Sequence, residues 1–358
     1  MGRTGRPTTL AFNGMIATPH SLASAAGLAV LQEGGSSADA VIAANAVLTV
    51  IYPDQTAIGG DCFALYFDAA SGQVQALNGS GRAPIAADRQ ALRAAGHRTH
   101  PRRGIHAVTV PGTIDAWHTL HERFGRVEMA RLLRPAIGYA RDGFPVSPNL
   151  RESLRRASDN PDFDESWRAV YLPGGSLPAP GSRMRLPALA GTLERIGREG
   201  RDIFYSGEIA EKLINTSKRL GGAFAVDDLA SHRAEWVAPV TIDYNGVTVV
   251  EVPPNSQGIT AQIALNLVED RPQAPWGSAD HLHPLIEAKK IAFDVRDRVL
   301  ADTSFIDIDV DLLVSKANAS ELWRSYDPQH AGTGSADQSG DTVYLCAVDR
   351  DGNAASLI

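Results

Sequence analysis

The run Asp341-Thr342-Val343-Tyr344-Leu345-Cys346-Ala347-Val348-Asp349, followed by Arg350-Asp351-Gly352-Asn353, contributes most to the prediction of the fold. Apolar side chains occupy both alternating faces of this run, which is typical of a strand in the middle of a sheet that is covered on both sides. Asp-Gly-Asn then supplies the residues of a tight turn. We therefore predict an interior strand here, and we assign Asp349 and Asp351 to its turn rather than to catalysis.

The segment before this strand, residues 324–341, is dominated by Gly, Ser, Asp, Gln and Ala and has no hydrophobic period. A stretch of this length without structure is usually functional or disordered, and a plain linker is the alternative. If the chain is cut before Thr342, the new amine lies beside the Thr342 hydroxyl and can act as its base. Thr342 is therefore the candidate nucleophile, and Asp341 with Thr342 is the candidate processing site.

The composition excludes several classes of function. The chain has 358 residues and a formal net charge of −7, which leaves no basic surplus to neutralise phosphates. No window approaches the length of a membrane span, and residues 1–9 lack the apolar core of a secretory signal. Two cysteines do not make a disulfide framework. We predict a cytoplasmic protein with no nucleic-acid partner, no membrane partner and no cofactor.

The rest of the chain contains both helical and strand patterns. We expect two helices over 21–49, a strand pair over 62–67 and 73–77, and a helical region over 112–144. Asn245-Gly246 lies between two β-rich runs and predicts a hairpin. Helices are predicted over 203–220, 259–268 and 283–300.

Several ordered sequence blocks resemble the γ-glutamyltransferase family of N-terminal nucleophile hydrolases. Each block is weak alone, because Gly-Gly and Pro-Gly are common in turns, but together they span the chain from about Phe12 to Ile358. The blocks are Glu33-Gly34-Gly35, Gly59-Gly60-Asp61-Cys62-Phe63, Pro111-Gly112-Thr113, Ala140-Arg141-Asp142-Gly143-Phe144, Phe204-Tyr205-Ser206-Gly207, Pro253-Pro254-Asn255-Ser256-Gln257-Gly258, Glu287-Ala288-Lys289-Lys290, and Thr342 with Val348 to Asn353.

The resemblance implies an α+β fold, a four-layer αββα sandwich, and a precursor that cuts itself before Thr342. Residues 1–341 would be the large subunit, with 324–341 as a flexible loop, and residues 342–358 would begin the small subunit. The family's second threonine and its oxyanion-hole glycine pair would lie beyond Ile358, so the chain as given is expected to be inactive. The implied partner is its own small subunit, and an oligomer of such αβ units stays open.

The substrate is where the chain departs from the family pattern. The transferases carry an arginine three residues before an Ala-Pro pair, and it binds the donor's α-carboxylate; here Ser80 has that position before Ala83-Pro84. Arg82 is the candidate replacement, because its planar guanidinium suits a carboxylate, and a solvated loop arginine is the alternative. Tyr344 also stands where the transferases have histidine. The departure favours relatives such as the oxamate amidohydrolase and acylases.

The sequence thus predicts a threonine amidohydrolase acting on a small carboxylate-bearing amide through a Thr342 acyl-enzyme. A γ-glutamyl hydrolase or transferase with glutathione-like donors is one alternative, and a non-catalytic binding or scaffold relative is another. His281 and His283 lack a clear third ligand, so no metal site is predicted. Cys62 is interpreted as a small buried residue rather than a nucleophile.

Overall fold

The computed structural model describes residues 8–160, 163–271, 274–333 and 342–358. Its strands are Gly14–Ala17 (β1), Cys62–Asp68 (β2), Gln73–Gly79 (β3), Phe144–Pro145 (β4), Arg183–Met184 (β5), Glu235–Val237 (β6), Val240–Tyr244 (β7), Val247–Glu251 (β8), Leu345–Asp349 (β9) and Ala354–Leu357 (β10). The longer helices are Ser21–Gln32 (α1), Ser37–Ile51 (α2), Thr113–Phe124 (α3), Met129–Asp142 (α4), Pro148–Ser158 (α5), Pro187–Glu199 (α6), Glu208–Arg219 (α7), Gly258–Val268 (α8) and Ala279–Val299 (α9). Short helices cover Arg89–Ala94, Glu165–Tyr171, Asp202–Tyr205, Val226–Ala230, Val310–Leu313 and Lys316–Leu322, with 3-10 turns at Ile105–Ala107, Pro173–Gly175 and Trp323–Ser325.

The main sheet is antiparallel and has the strand order β1-β9-β10-β2-β3-β6. The predicted interior strand is therefore confirmed, because β9 pairs with β1 on one side and with β10 on the other. Leu345 and Ala347 are buried on the face that packs against α2. On the opposite face, Tyr344 and Val348 are exposed, so the described part of the chain does not provide the cover that was predicted for both faces.

Helix α2 is the centre of the larger hydrophobic core. Every residue of α2 is buried, as expected for a helix whose whole circumference is covered by protein. It packs against α1, α4 and the strands β9 and β10. Ser36 and Asp39 form a capping box at its N-terminus, so the turn after Gly35 fixes where the helix begins.

A second, smaller core forms around the β7–β8 hairpin. The hairpin turns at Asn245-Gly246, as the sequence predicted, and Asn245 has a φ of 51°. Helix α8 packs on both strands of this hairpin and also against α9, and this core buries Ile259, Ile263 and Ala292. The molecule therefore has two layered units, a sheet covered by α2 and a hairpin covered by α8, with α9 packed against α8.

The predicted helical region over 112–144 is two helices, because the chain breaks after Phe124. An added Cβ at Gly125 would lie 2.4 Å from the His121 ring. Arg126 then donates its backbone N–H to Asp39 at 2.9 Å, and the His121 ring bonds to Val127 O at 2.7 Å. These contacts hold 125–128 as a turn between α3 and α4. The predicted helix over 203–220 is likewise interrupted, at 206–207.

Candidate active site

Thr342 lies at the N-terminal end of the strand that the sequence singled out. It is exposed and stands three residues before β9 begins at Leu345. Val343, the next residue, is buried in the main core. The structure therefore anchors the backbone directly after Thr342 and leaves its side chain accessible. Asp341, the other half of the predicted processing site, lies outside the described residues.

The antiparallel order of the sheet brings the predicted binding loop to the same end as Thr342. Leu345 of β9 pairs with Leu357 of β10, and the end of β10 bonds to Phe63 at the start of β2. Cys62 in turn pairs with Gly79, the last residue of β3. Ser80 and Arg82 follow β3 directly. Three strand spacings of about 4.8 Å separate β9 from β3, or about 14 Å in all.

Ser80 belongs to a closed triangle of polar side chains. Its hydroxyl donates to Asn78 Oδ1 at 2.7 Å and accepts from Asn255 Nδ2 at 2.8 Å. Asn78 Nδ2 completes the triangle by donating to Asn255 Oδ1 at 2.9 Å. The triangle ties the loop after β3 to the turn before α8, and so joins the two layered units. The block Pro253 to Gly258 was part of the family resemblance in the sequence, and nothing in it signalled the contact with Ser80.

Arg82 is exposed at this end of the sheet but has partners. Its Nη1 donates to Ser304 Oγ at 3.0 Å and lies 3.4 Å from Asp302 Oδ2. The side chain is 58% exposed, so the guanidinium remains open to solvent. A substrate carboxylate would compete with Asp302 for it. Among the described residues no hydrogen bond joins Thr342 to Arg82 or Ser80, and the binding role of both stays a prediction.

The glycine-rich blocks meet around the backbone of the binding loop. Gly81 donates its N–H to Asp61 Oδ1 at 2.9 Å. Burial raises the pKa of the Asp61 carboxyl, and the bond from Gly81 opposes this by lowering that pKa. Val110 donates to Arg82 O at 2.9 Å. An added Cβ at Gly81 would lie 1.5 Å from Val110 O, so only glycine fits this approach. Three segments thus pack together through their backbones, namely residues 59–63, 79–84 and 110–113.

Thr113 closes this unit from the side of α3. Its hydroxyl donates to Gly60 O at 2.8 Å, and Gly60 O also accepts the backbone N–H groups of Gly112 and Thr113. These bonds satisfy donors at the N-terminus of α3, which would otherwise lack partners. Thr113 is therefore a structural threonine, in contrast to the exposed Thr342.

The turn after β9 has the structural role that the sequence predicted. Asp349 is 3% exposed, and its carboxylate accepts from Asp351 N at 3.0 Å, Asn353 N at 3.1 Å and Ser37 N at 3.2 Å. Gly352 has a φ of 84°, which glycine adopts without strain. Asp349 therefore couples the strand that follows Thr342 to the N-terminus of α2.

Two other candidates have no supporting geometry. Cys62 is buried, and burial together with the Asp61 charge raises the pKa of its thiol to about 12, which disfavours the nucleophilic thiolate. His283 bonds to the Tyr326 hydroxyl at 3.3 Å. No group of three or more His, Cys, Asp or Glu side chains suited to a metal occurs within the ranges that the structure describes.

The lengths and hydropathies of the helices bear on membrane crossing. None of those in the described ranges is both long and apolar enough to cross a bilayer. The predicted cytoplasmic location stays a prediction.

Comparison with known families identifies the chain over almost its whole length. The gamma-glutamyltranspeptidase family model matches residues 23–358. The chain belongs to the gamma-glutamyltranspeptidase family. This confirms the resemblance that the ordered sequence blocks indicated.

Two curated relatives have nearly equal similarity. The glutathione hydrolase-like YwrD proenzyme of Bacillus subtilis is 38% identical over 350 residues, covering 96% of this chain and 66% of the relative. The oxamate amidohydrolase proenzyme of Klebsiella pneumoniae is 37% identical over 357 residues, covering 97% of this chain and 66% of the relative. The chain therefore spans about two thirds of the length of these relatives.

A solved structure confirms the predicted fold. The cephalosporin acylase from Bacillus halodurans aligns with a TM-score of 0.90 and 36% identity, over 100% of this chain and 68% of that protein. The Helicobacter pylori gamma-glutamyltranspeptidase aligns with a TM-score of 0.84 and 29% identity, over 93% of this chain and 97% of the aligned chain. The α+β fold of this chain is thus that of the N-terminal nucleophile hydrolases.

Proposed function

We propose that this chain is the larger part of a self-processing threonine amidohydrolase. The observation that carries the proposal is the place of Thr342, which is exposed directly before a buried residue and an interior strand. A nucleophile at this position has an accessible hydroxyl, while the buried residue that follows it fixes its backbone. The two curated relatives are named as proenzymes, which supports self-processing, and the names oxamate amidohydrolase and cephalosporin acylase support amide cleavage.

The processing step uses the Thr342 hydroxyl on its own chain. The hydroxyl adds to the Asp341 carbonyl carbon, the Asp341–Thr342 C–N bond breaks, and an ester forms in its place. Water then hydrolyses the ester, which leaves a carboxylate on Asp341 and a free amine on Thr342. That amine supplies the base which a hydroxyl nucleophile needs near neutral pH.

Turnover repeats this chemistry on an external amide. The Thr342 amine accepts the hydroxyl proton while the oxygen attacks the amide carbonyl, and the proton then passes to the leaving amine. The acyl group remains on Thr342 as an ester until water releases it as a carboxylic acid. This hydrolysis regenerates the Thr342 hydroxyl, so the proposed cycle uses no cofactor.

We infer that the substrate is a small amide that carries a carboxylate. Arg82 is the group that supports this, because it lies at the same end of the sheet as Thr342 and its guanidinium is more than half exposed. Ser80 is the second predicted binding residue; Asn78 takes its only hydroxyl hydrogen, so Ser80 would accept a hydrogen bond from the substrate rather than donate one. A γ-glutamyl donor is the second candidate, and the relative named as glutathione hydrolase-like supports it.

The test is a substrate panel run on the full-length gene product. Release of ammonia from oxamate is measured beside release of the anilide from a γ-glutamyl anilide, for wild type, Thr342→Ala and Thr342→Ser. We expect amide hydrolysis by wild type, none by Thr342→Ala, and a reduced rate for Thr342→Ser, which retains a hydroxyl. Tyr344→Phe, two residues after Thr342, is the matched control and should retain amide hydrolysis. Equal turnover by wild type and Thr342→Ala would refute the proposal, and binding without turnover would favour a scaffold protein.

A further inference from the structure

The loop that follows α9 contacts Arg82 through two residues, one neutral and one charged. The neutral contact is the hydrogen bond of 3.0 Å from Arg82 Nη1 to Ser304 Oγ. The charged contact joins the same nitrogen to Asp302 Oδ2 at 3.4 Å. Because a hydrogen bond between charged groups is usually about 2.7–2.9 Å long, the contact with Asp302 is a long one. Ser304 therefore gives Arg82 its better hydrogen bond, and Asp302 contributes mainly a negative charge.

Asp302 is positioned by the turn that it begins. Its Oδ1 accepts the Ser304 N–H at 2.8 Å, and its carbonyl oxygen accepts the N–H groups of Phe305 at 3.0 Å and Ile306 at 3.2 Å. One carboxylate oxygen thus fixes the loop, while the other faces Arg82. The Asp302 side chain is 39% exposed, and an ion pair between exposed groups contributes little to folding stability. Folding stability alone therefore does not account for this charge beside Arg82.

Arg82 retains N–H donors for a ligand. A guanidinium donates from three nitrogens, and among the described residues only Nη1 of Arg82 has partners. A ligand carboxylate could therefore bind Nε or Nη2 while Asp302 stays at Nη1. The two carboxylates would then lie within about 8 Å of each other, which is the Debye length at physiological ionic strength. At that separation they repel each other.

We propose that Asp302 is a specificity-determining residue that promotes release of the acid product from Arg82, an inference that rests on the proposed function. Hydrolysis adds water across the amide bond, so the amine leaves with one hydrogen and the acyl group leaves as a carboxylic acid. This acid ionises near neutral pH. The released acyl group therefore carries one more negative charge than it had in the substrate. The Asp302 charge opposes the binding of both molecules, and it opposes the product more.

Removal of the Asp302 charge should therefore tighten the binding of substrate and product unequally. Two like unit charges about 8 Å apart repel even in bulk water by an amount that weakens binding about two-fold. A lower dielectric at the protein surface makes the repulsion larger, so this factor is a lower limit at low ionic strength. The product has a second carboxylate that Asp302 also repels. Its gain in affinity should exceed that of the substrate.

The experiment uses the full-length gene product and the amide of the substrate panel that wild type hydrolyses, with its own acid product as inhibitor. The pairs are oxamate with oxalate and a γ-glutamyl anilide with glutamate. KM and the product Ki are measured at low ionic strength for wild type, Asp302→Asn and Ser304→Ala. Asparagine retains an oxygen for the Ser304 N–H but has no charge. Asp307→Asn is the matched control, because Asp307 is exposed in the same loop and has no bond to Arg82 among the described residues.

The proposal expects Asp302→Asn to lower KM by at least about two-fold and the product Ki by a larger factor. Ser304→Ala should raise KM, because Arg82 loses its better hydrogen bond, and Asp307→Asn should leave both constants unchanged. An unchanged or raised KM in Asp302→Asn, equal factors for substrate and product, or the same decreases in either other variant would overturn the role of Asp302 while amide hydrolysis stands. A wild type that hydrolyses none of these amides would overturn this inference together with the proposed function.

Discussion

The carboxylate of Asp349 should be one of the largest single contributions to the stability of the strand that follows Thr342. Replacing Asp349 by Ala removes the acceptor for three backbone N–H groups. Two of these donors, on Ser37 and Asn353, belong to buried residues, so water cannot replace the carboxylate. At about 2 kcal/mol for each orphaned buried donor, the free energy of unfolding should fall by about 4 kcal/mol.

Asp351→Ala is the matched control two residues along the same turn. Its carboxylate pairs with Arg126 at 2.7 Å, but the side chain is 50% exposed. An exposed ion pair contributes at most about 1 kcal/mol. The assay is urea unfolding of the full-length gene product, with the midpoint shift converted through a common m-value. Equal destabilisation by Asp349→Ala and Asp351→Ala would refute the argument from burial.

Three further predictions follow from other contacts. Arg201→Met leaves the buried Asp115 carboxylate without its ion-pair partner, so the free energy of unfolding should fall by about 3–5 kcal/mol, whereas exposed Arg198→Met should leave the urea midpoint unchanged. Burial lowers the pKa of His118 from 6.5 to about 4, and nearby His121 adds to the shift. The unfolded chain then binds the extra proton first, so stability should fall as pH drops from about 6.5 to about 4, and His118→Gln should flatten that decline. Arg82→Ala should raise KM for carboxylate-bearing amides without altering KM for neutral amides, and an unchanged KM would remove Arg82 from the binding site.

The sequence was sufficient for the local elements whose signals are short-range. Asn245-Gly246 specified the β7–β8 hairpin, and the capped segment after Gly35 specified the start of α2. The strand over Leu345–Asp349 was predictable because its apolar pattern and its turn residues agree. In each case the residues that fix the structure lie within a few positions of one another.

The contacts that assemble the candidate site were not predictable, because they join residues far apart in the chain. The break between α3 and α4 depends on Asp39 accepting from Arg126, and neither residue signals the other. Arg82 was predicted to be either a carboxylate ligand or a solvated residue, and no sequence signal indicated its pairing with Asp302, 220 positions away. The bond from the Gly332 N–H to Glu287 Oε2 arises in the same way, since a glycine in a polar segment gives no sign of that partner.

The central claim is that Thr342 cuts its own chain and becomes the nucleophile. The most direct measurement is the intact mass of the full-length gene product beside its Thr342→Ala variant. The account predicts two fragments that meet between Asp341 and Thr342 in the wild type, and one uncut chain in the variant. A single uncut mass for both proteins, or the same two fragments from both, would contradict it.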